Sequence, residues 1–79
     1  MLEDIGSNAI VGTKQVLKAI AADQLACVYI AKDADGFLAN KIKAACFEHG
    51  VAVTEVPTMR ELGTACKIDV GAACAGLPK

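Results

Sequence analysis

The residues best placed to do chemistry lie in the stretch Val11-Gly12-Thr13-Lys14-Gln15-Val16-Leu17-Lys18. A short apolar run ends at Gly12 and meets a predicted helix that carries Lys14, Gln15 and Lys18 on one side and Val16, Leu17 and Ile20 on the other. Free amides at a helix N-terminus attract phosphate, and lysine and amide heads donate to phosphate oxygens and to purine N7 and O6. The bland alternative is a solvated face on a surface helix. Ile68 and Val70 pose a similar choice, because an apolar loop either plugs the end of a core or offers a platform to an unstacked base.

Other chemistries lack their parts. Gly12-Thr13-Lys14 has neither the upstream glycine nor the spacing of a phosphate loop, and no G-x-G-x-x-G occurs, so nucleotide hydrolysis is not expected. Asp33 and Asp35 fall in a polar turn where helix capping accounts for both. Cys46 and His49 have a Cys-x-x-His spacing, but nothing nearby completes a tetrahedral metal site. Cys27, Cys46, Cys66 and Cys74 are scattered through apolar segments and form no C-x-x-C pair, so buried thiols are expected rather than disulfides. No serine or cysteine has an identifiable base and orienting acid. The expectation is a protein that is not an enzyme and uses neither metal nor cofactor.

Seventy-nine residues with 54% apolar and 4% aromatic content suit one compact domain, 1–79, whose layers approach closely over small side chains. A net charge of −1 argues against coating nucleic acid by bulk attraction, so such binding needs a local patch. No apolar run approaches the roughly 20 residues that span a bilayer, and Met1-Leu2-Glu3-Asp4 lacks the basic region of a signal peptide. The expected location is cytoplasmic, without membrane contact.

The elements that would position these groups alternate regularly. Leu2 to Ala9 reads as a short helical turn and Ala9-Ile10-Val11 as a strand, with Gly12-Thr13 supplying the break and N-cap for a helix from Thr13 to Ala22. Ala26 to Ala31 reads as a strand buried on both faces. The turn Lys32 to Gly36 follows, where Asp33 or Asp35 caps a helix running to about His49. Leu38, Ile42, Ala45, Cys46 and His49 form that helix's apolar stripe, and Gly50 closes it. Val51 to Val56 is the next strand, ended by Pro57. Thr58-Met59-Arg60-Glu61 matches a capping box opening a helix to about Lys67. Gly63 within it costs about 1 kcal/mol relative to alanine unless something needs close approach there. Ile68 to Gly71 is a partly apolar loop, and Ala72 to Leu77 a final small-residue strand. Such alternation implies a three-layer α/β/α sandwich around a mixed four-stranded sheet.

In this order the pieces resemble the kink-turn RNA-binding ribosomal proteins of the L-seven-Ae and L-thirty-e family, most nearly the small bacterial YbxF-type branch. They are Gly12-Thr13-Lys14-Gln15 with Lys18, Ala31-Lys32-Asp33-Ala34-Asp35, Met59 to Cys66 with Leu62-Gly63, and Ile68-Asp69-Val70-Gly71-Ala72-Ala73. The resemblance implies a sandwich fold and a ligand of sharply bent RNA whose kink is flanked by tandem sheared G·A pairs, ribosomal RNA being one source. It implies that Gly12, Thr13, Lys14, Gln15 and Lys18 enter the widened major groove, that Lys32 adds a phosphate contact, and that Ile68, Asp69, Val70, Gly71 and Ala72 pack on a flipped-out nucleotide. The archaeal and eukaryotic pattern has Asn-Glu where this chain has Lys14-Gln15, so lysine and amide donors to guanine O6 and N7 replace an acid-mediated contact. Gly36 stands where a proline is usual, which makes that turn less rigid.

Two other classes fit the same scaffold: a module that presents its helices to a protein without touching RNA, and a small enzyme with a reactive cleft. The acidic balance favours the module slightly.

Overall fold

The computed structural model describes residues 9–68 and 70–79. The reading of Leu2 to Ala9 as a helical turn therefore lies, but for Ala9, outside the described residues, as does the expected role of Asp69. Within them the order is β1 (Ile10–Val11), α1 (Thr13–Ala21), β2 (Leu25–Ala31), α2 (Gly36–His49), β3 (Ala52–Val56), α3 (Met59–Ala65) and β4 (Cys74–Pro78). The sheet order is β1-β4-β2-β3. β2 and β3 run parallel, whereas β4 is antiparallel to both β1 and β2.

Alternating side chains divide the sheet between two cores, because successive residues of a strand point to opposite faces. On one face Val28, Ile30 and Cys74 pack with Val16 and Ile20 of α1 and with Ile42 and Cys46 of α2. On the other, Ala31, Val56 and Ala75 pack with Leu62 and Cys66 at α3. The result is the three-layer sandwich expected from the alternation, with two helices on one side and one on the other. Small residues line much of the α3 side, which lets that short helix sit close to the sheet.

Several element boundaries and burials differ from the sequence reading. β2 starts at Leu25, and Ala26 is exposed because pairing with β4 shifts register between Leu25 and Cys27. β3 was read from alternating β-branched residues, yet four of its five residues are exposed, since it is the sheet's outer strand. His49 was assigned to the buried stripe of α2 but is exposed at the helix end, whereas Ile42 and Cys46 are buried. Cys27 is only half-buried, unlike the other three thiols. α3 stops at Ala65 rather than Lys67 because Lys67 takes a left-handed φ of 62°.

Candidate nucleic-acid interface

The topology gathers the ends that matter. β1, β2 and β3 point the same way, so their exits and the entry to β4 share one end of the sheet. Each of the three helices follows one of those exits, and all three therefore start at that end. The Gly12 amide donates to the Cys74 carbonyl (3.3 Å), Ala31 donates to Ala73 (2.9 Å) and Lys32 donates to Val56 (2.7 Å), which laces these exits together. With strands about 4.8 Å apart, the start of α1 and Lys32 stand roughly 10 Å from each other across β4.

The three helix starts differ in how their amides are used. At α2 Asp35 accepts from the Phe37 amide (2.8 Å). At α3 Thr58 Oγ1 accepts from Glu61 (3.1 Å), half of the expected capping box, and Asp33 Oδ1 accepts from Met59 (2.7 Å). The choice left open between Asp33 and Asp35 thus resolves by division of labour: Asp35 caps its own helix and Asp33 reaches α3. At α1 no side chain caps, and the first turn holds no acidic residue.

Gly12 is the reason for that bare start. It is the N-cap residue itself, with φ 104° and ψ 140°, a region that residues with a Cβ rarely enter. Thr13 becomes the first helical residue rather than a capping one, and its hydroxyl accepts instead from the Cys74 thiol (3.8 Å). The sulfur is buried and its titration is pushed up chiefly by that burial, with the Thr13 hydrogen bond opposing, so it stays a neutral thiol beneath the helix start. Lys14, Gln15 and Lys18 are exposed. Gln15 and Lys18 line one side groove with Ile10, Ala19 and Gln24.

The second half of the candidate site is the 68–72 loop, seated on α3. Ile68 donates to the Gly63 carbonyl (3.1 Å) and Ala72 to the Met59 carbonyl (3.0 Å). Gly63 permits the approach: a Cβ there would collide with the Val70 carbonyl oxygen and lie 3.0 Å from the Val70 carbonyl carbon. The plug-or-platform question divides by residue. Ile68 packs against the α3-side core, whereas Val70 is 70% exposed. Gly71 is exposed, and Ala72 is buried, so Ala72 anchors the loop rather than offering its side chain. Asp33 was read only as a cap, and its long reach to α3 could not be seen in local spacing. Arg60 and Lys67, which line a groove beside the loop, were also missed; Arg60 stands on α3 and Lys67 just past its end.

Among the described residues no three His, Cys, Asp or Glu side chains gather to hold a metal ion, and no helix is long and apolar enough to cross a membrane. Cys46 is buried while His49 is exposed.

The fold and this end of it define a class: small α/β/α sandwiches in which a glycine-started helix and an α3-mounted loop flank one end of a mixed sheet. The chain belongs to the Ribosomal protein L7Ae/L30e/S12e/Gadd45 family, whose model matches residues 6–77. It is 49% identical over 75 residues to the RNA-binding protein TTE2299 of Caldanaerobacter subterraneus, covering 95% of this chain and 92% of that one. It is 43% identical over 68 residues to the RNA-binding protein YbxF of Geobacillus stearothermophilus, covering 86% and 83% respectively. Among solved structures, the Giardia lamblia 15.5kD RNA binding protein superposes with a TM-score of 0.85 at 27% identity, over 91% of this chain and 61% of its own.

Proposed function

We propose that this protein binds structured RNA and, more specifically, clamps kink-turn RNA between the α1 start and the 68–72 loop. The observation that carries the reading is the contrast among the three co-oriented helix starts: two are capped by side chains, and the one flanked by Lys14, Gln15 and Lys18 is not. Its amides and cationic heads suit phosphates and guanine edges in a widened major groove. Val70 supplies an exposed apolar contact for an unpaired base. Lys32, exposed two strands along the sheet from the start of α1, adds a phosphate contact. The names of the relatives support RNA as the ligand class. The working location would be the cytoplasm, in association with the ribosome or translation, and the protein acts as a clamp rather than a catalyst.

The clamp selects the kinked conformer from an RNA equilibrium, because its two halves have partners together only in that geometry. The test is titration against a folded kink-turn and a control lacking the sheared G·A pairs. Lys14→Ala with Gln15→Ala should abolish the preference while the thermal melt stays parental. The clamp's three cations, Lys14, Lys18 and Lys32, contribute about −2 to −3 to the slope of log affinity against log salt. Equal affinity for the two RNAs would end the specific reading, and RNA binding untouched by the double substitution would move the site elsewhere.

A further inference from the structure

Beside the loop, on the α3 face of the sheet, lies a polar groove lined by Arg60, Thr64, Lys67, Ile68, Val70 and Gly71. Arg60 and Thr64 stand one turn apart on α3, Lys67 lies just past the helix end and lines the same groove, and all three are exposed. The opposite wall is the same loop that carries Val70. Thr64 Oγ1 donates to the Arg60 carbonyl (3.0 Å), and the groove's cationic groups are the Arg60 guanidinium and the Lys67 ammonium. Neither residue belongs to the clamp described above.

We propose that this groove is a second RNA-backbone track, in which Arg60 and Lys67 hold the phosphates flanking the unpaired base that meets Val70. The inference rests on the RNA-binding reading and extends its footprint to the far side of the loop. Two cations beside an exposed apolar contact reproduce the arrangement that grips a single strand: charge follows the backbone while an apolar surface takes the base. Lys67 strengthens the case. It occupies a left-handed backbone position just past a helix end, with φ 62°, where glycine is the usual residue. Glycine would sit there without strain but would carry no charge. A planar guanidinium at Arg60 suits bidentate contact to a phosphate, and Lys67 acts as a point charge next to it.

The experiment compares the parent protein with Arg60→Gln plus Lys67→Gln in titrations against the kink-turn RNA and its control lacking G·A pairs. Thermal melts verify folding, and Arg60→Gln alone carries the test with half the effect if the double variant melts early. The double variant should show a salt slope shallower by about 1.4 to 1.8 and an affinity lower by about tenfold or more near 0.1 M salt. Its preference for the kink-turn over the control should persist. Methylphosphonates at the two phosphates flanking the unpaired base should weaken the parent and leave the variant unaffected. Parental slope and affinity in the variant, or equal weakening of both proteins by the methylphosphonates, overturns the track while leaving the clamp intact. A parent that binds both RNAs equally overturns the clamp and the track with it.

Discussion

Replacing Gly63 with alanine sets two effects of opposite sign against each other. Helix propensity alone predicts a gain of about 1 kcal/mol, since glycine is a poor helix residue. The structure predicts a loss. The added Cβ would lie 3.0 Å from the Val70 carbonyl carbon and 3.1 Å from the Gly71 Cα, with the Val70 oxygen closer still, and these are backbone atoms that cannot rotate away. Relieving the contact moves the loop by roughly 0.5 to 1 Å and costs about 1–3 kcal/mol as overpacking. The net destabilisation is about 1 kcal/mol, which in a domain of this size lowers Tm by about 4–8 °C. A loop pushed off α3 carries Val70 with it. Loss of one base contact worth about 1–3 kcal/mol weakens RNA binding roughly fivefold to 150-fold. A thermal melt and a titration against kink-turn RNA read both effects. Were Gly63→Ala to melt above the parent and bind RNA with parental affinity, the account of Gly63 as the seat of the loop would be refuted.

Further outcomes follow from the same geometry. Asp33→Ala leaves the Met59 amide at the start of α3 without its acceptor and should lower stability by about 1 kcal/mol in urea melts. Asp33→Asn, which keeps an acceptor, should lose less, and parental stability in Asp33→Ala would remove the cross-link from the account. Burial pushes the Cys46 and Cys74 thiols above the ordinary value of 9.0, so the folded chain holds protons that the unfolded chain releases. Their contribution is complete below that ordinary value and is lost as pH rises from it through the higher folded values. Urea melts at about pH 7 and about pH 10 should therefore show a weaker fold at the higher pH, and the loss should be smaller in Cys46→Ala with Cys74→Ala. An equal alkaline loss without the two thiols would place its cause elsewhere.

The legible part of the fold was the part encoded by local chemistry. Thr58 and Glu61 stand three residues apart, and the Thr58 hydroxyl takes the Glu61 amide as that spacing requires. Gly50 ends α2 in the left-handed conformation expected from its place after the apolar stripe. Gly63 stood out as a costly helix residue unless something came close, and the loop is what comes close. What escaped the sequence depended on tertiary position. Nothing local distinguishes β3 as an outer strand, since its residues would serve equally well between two neighbours. Asp33 has the same short carboxylate as Asp35, and only the adjacency of β2 and β3 brings it to an amide 26 residues away. Arg60 and Lys67 are ordinary surface cations until the loop folds beside them.

The common orientation of the helices also governs how the molecule meets a charged surface. A helix carries the equivalent of about half an elementary charge at each terminus, positive where it starts. Here three helices start at one end, but Asp35 and Asp33 accept from first-turn amides of α2 and α3, so the start of α1 is the terminus whose partial charge stays uncompensated behind a net charge of −1. In the field of a polyanion such a particle experiences a torque before it feels a net pull. For the clamp proposed above, that torque turns the start of α1 toward the RNA, so that fewer encounters are spent on unproductive faces.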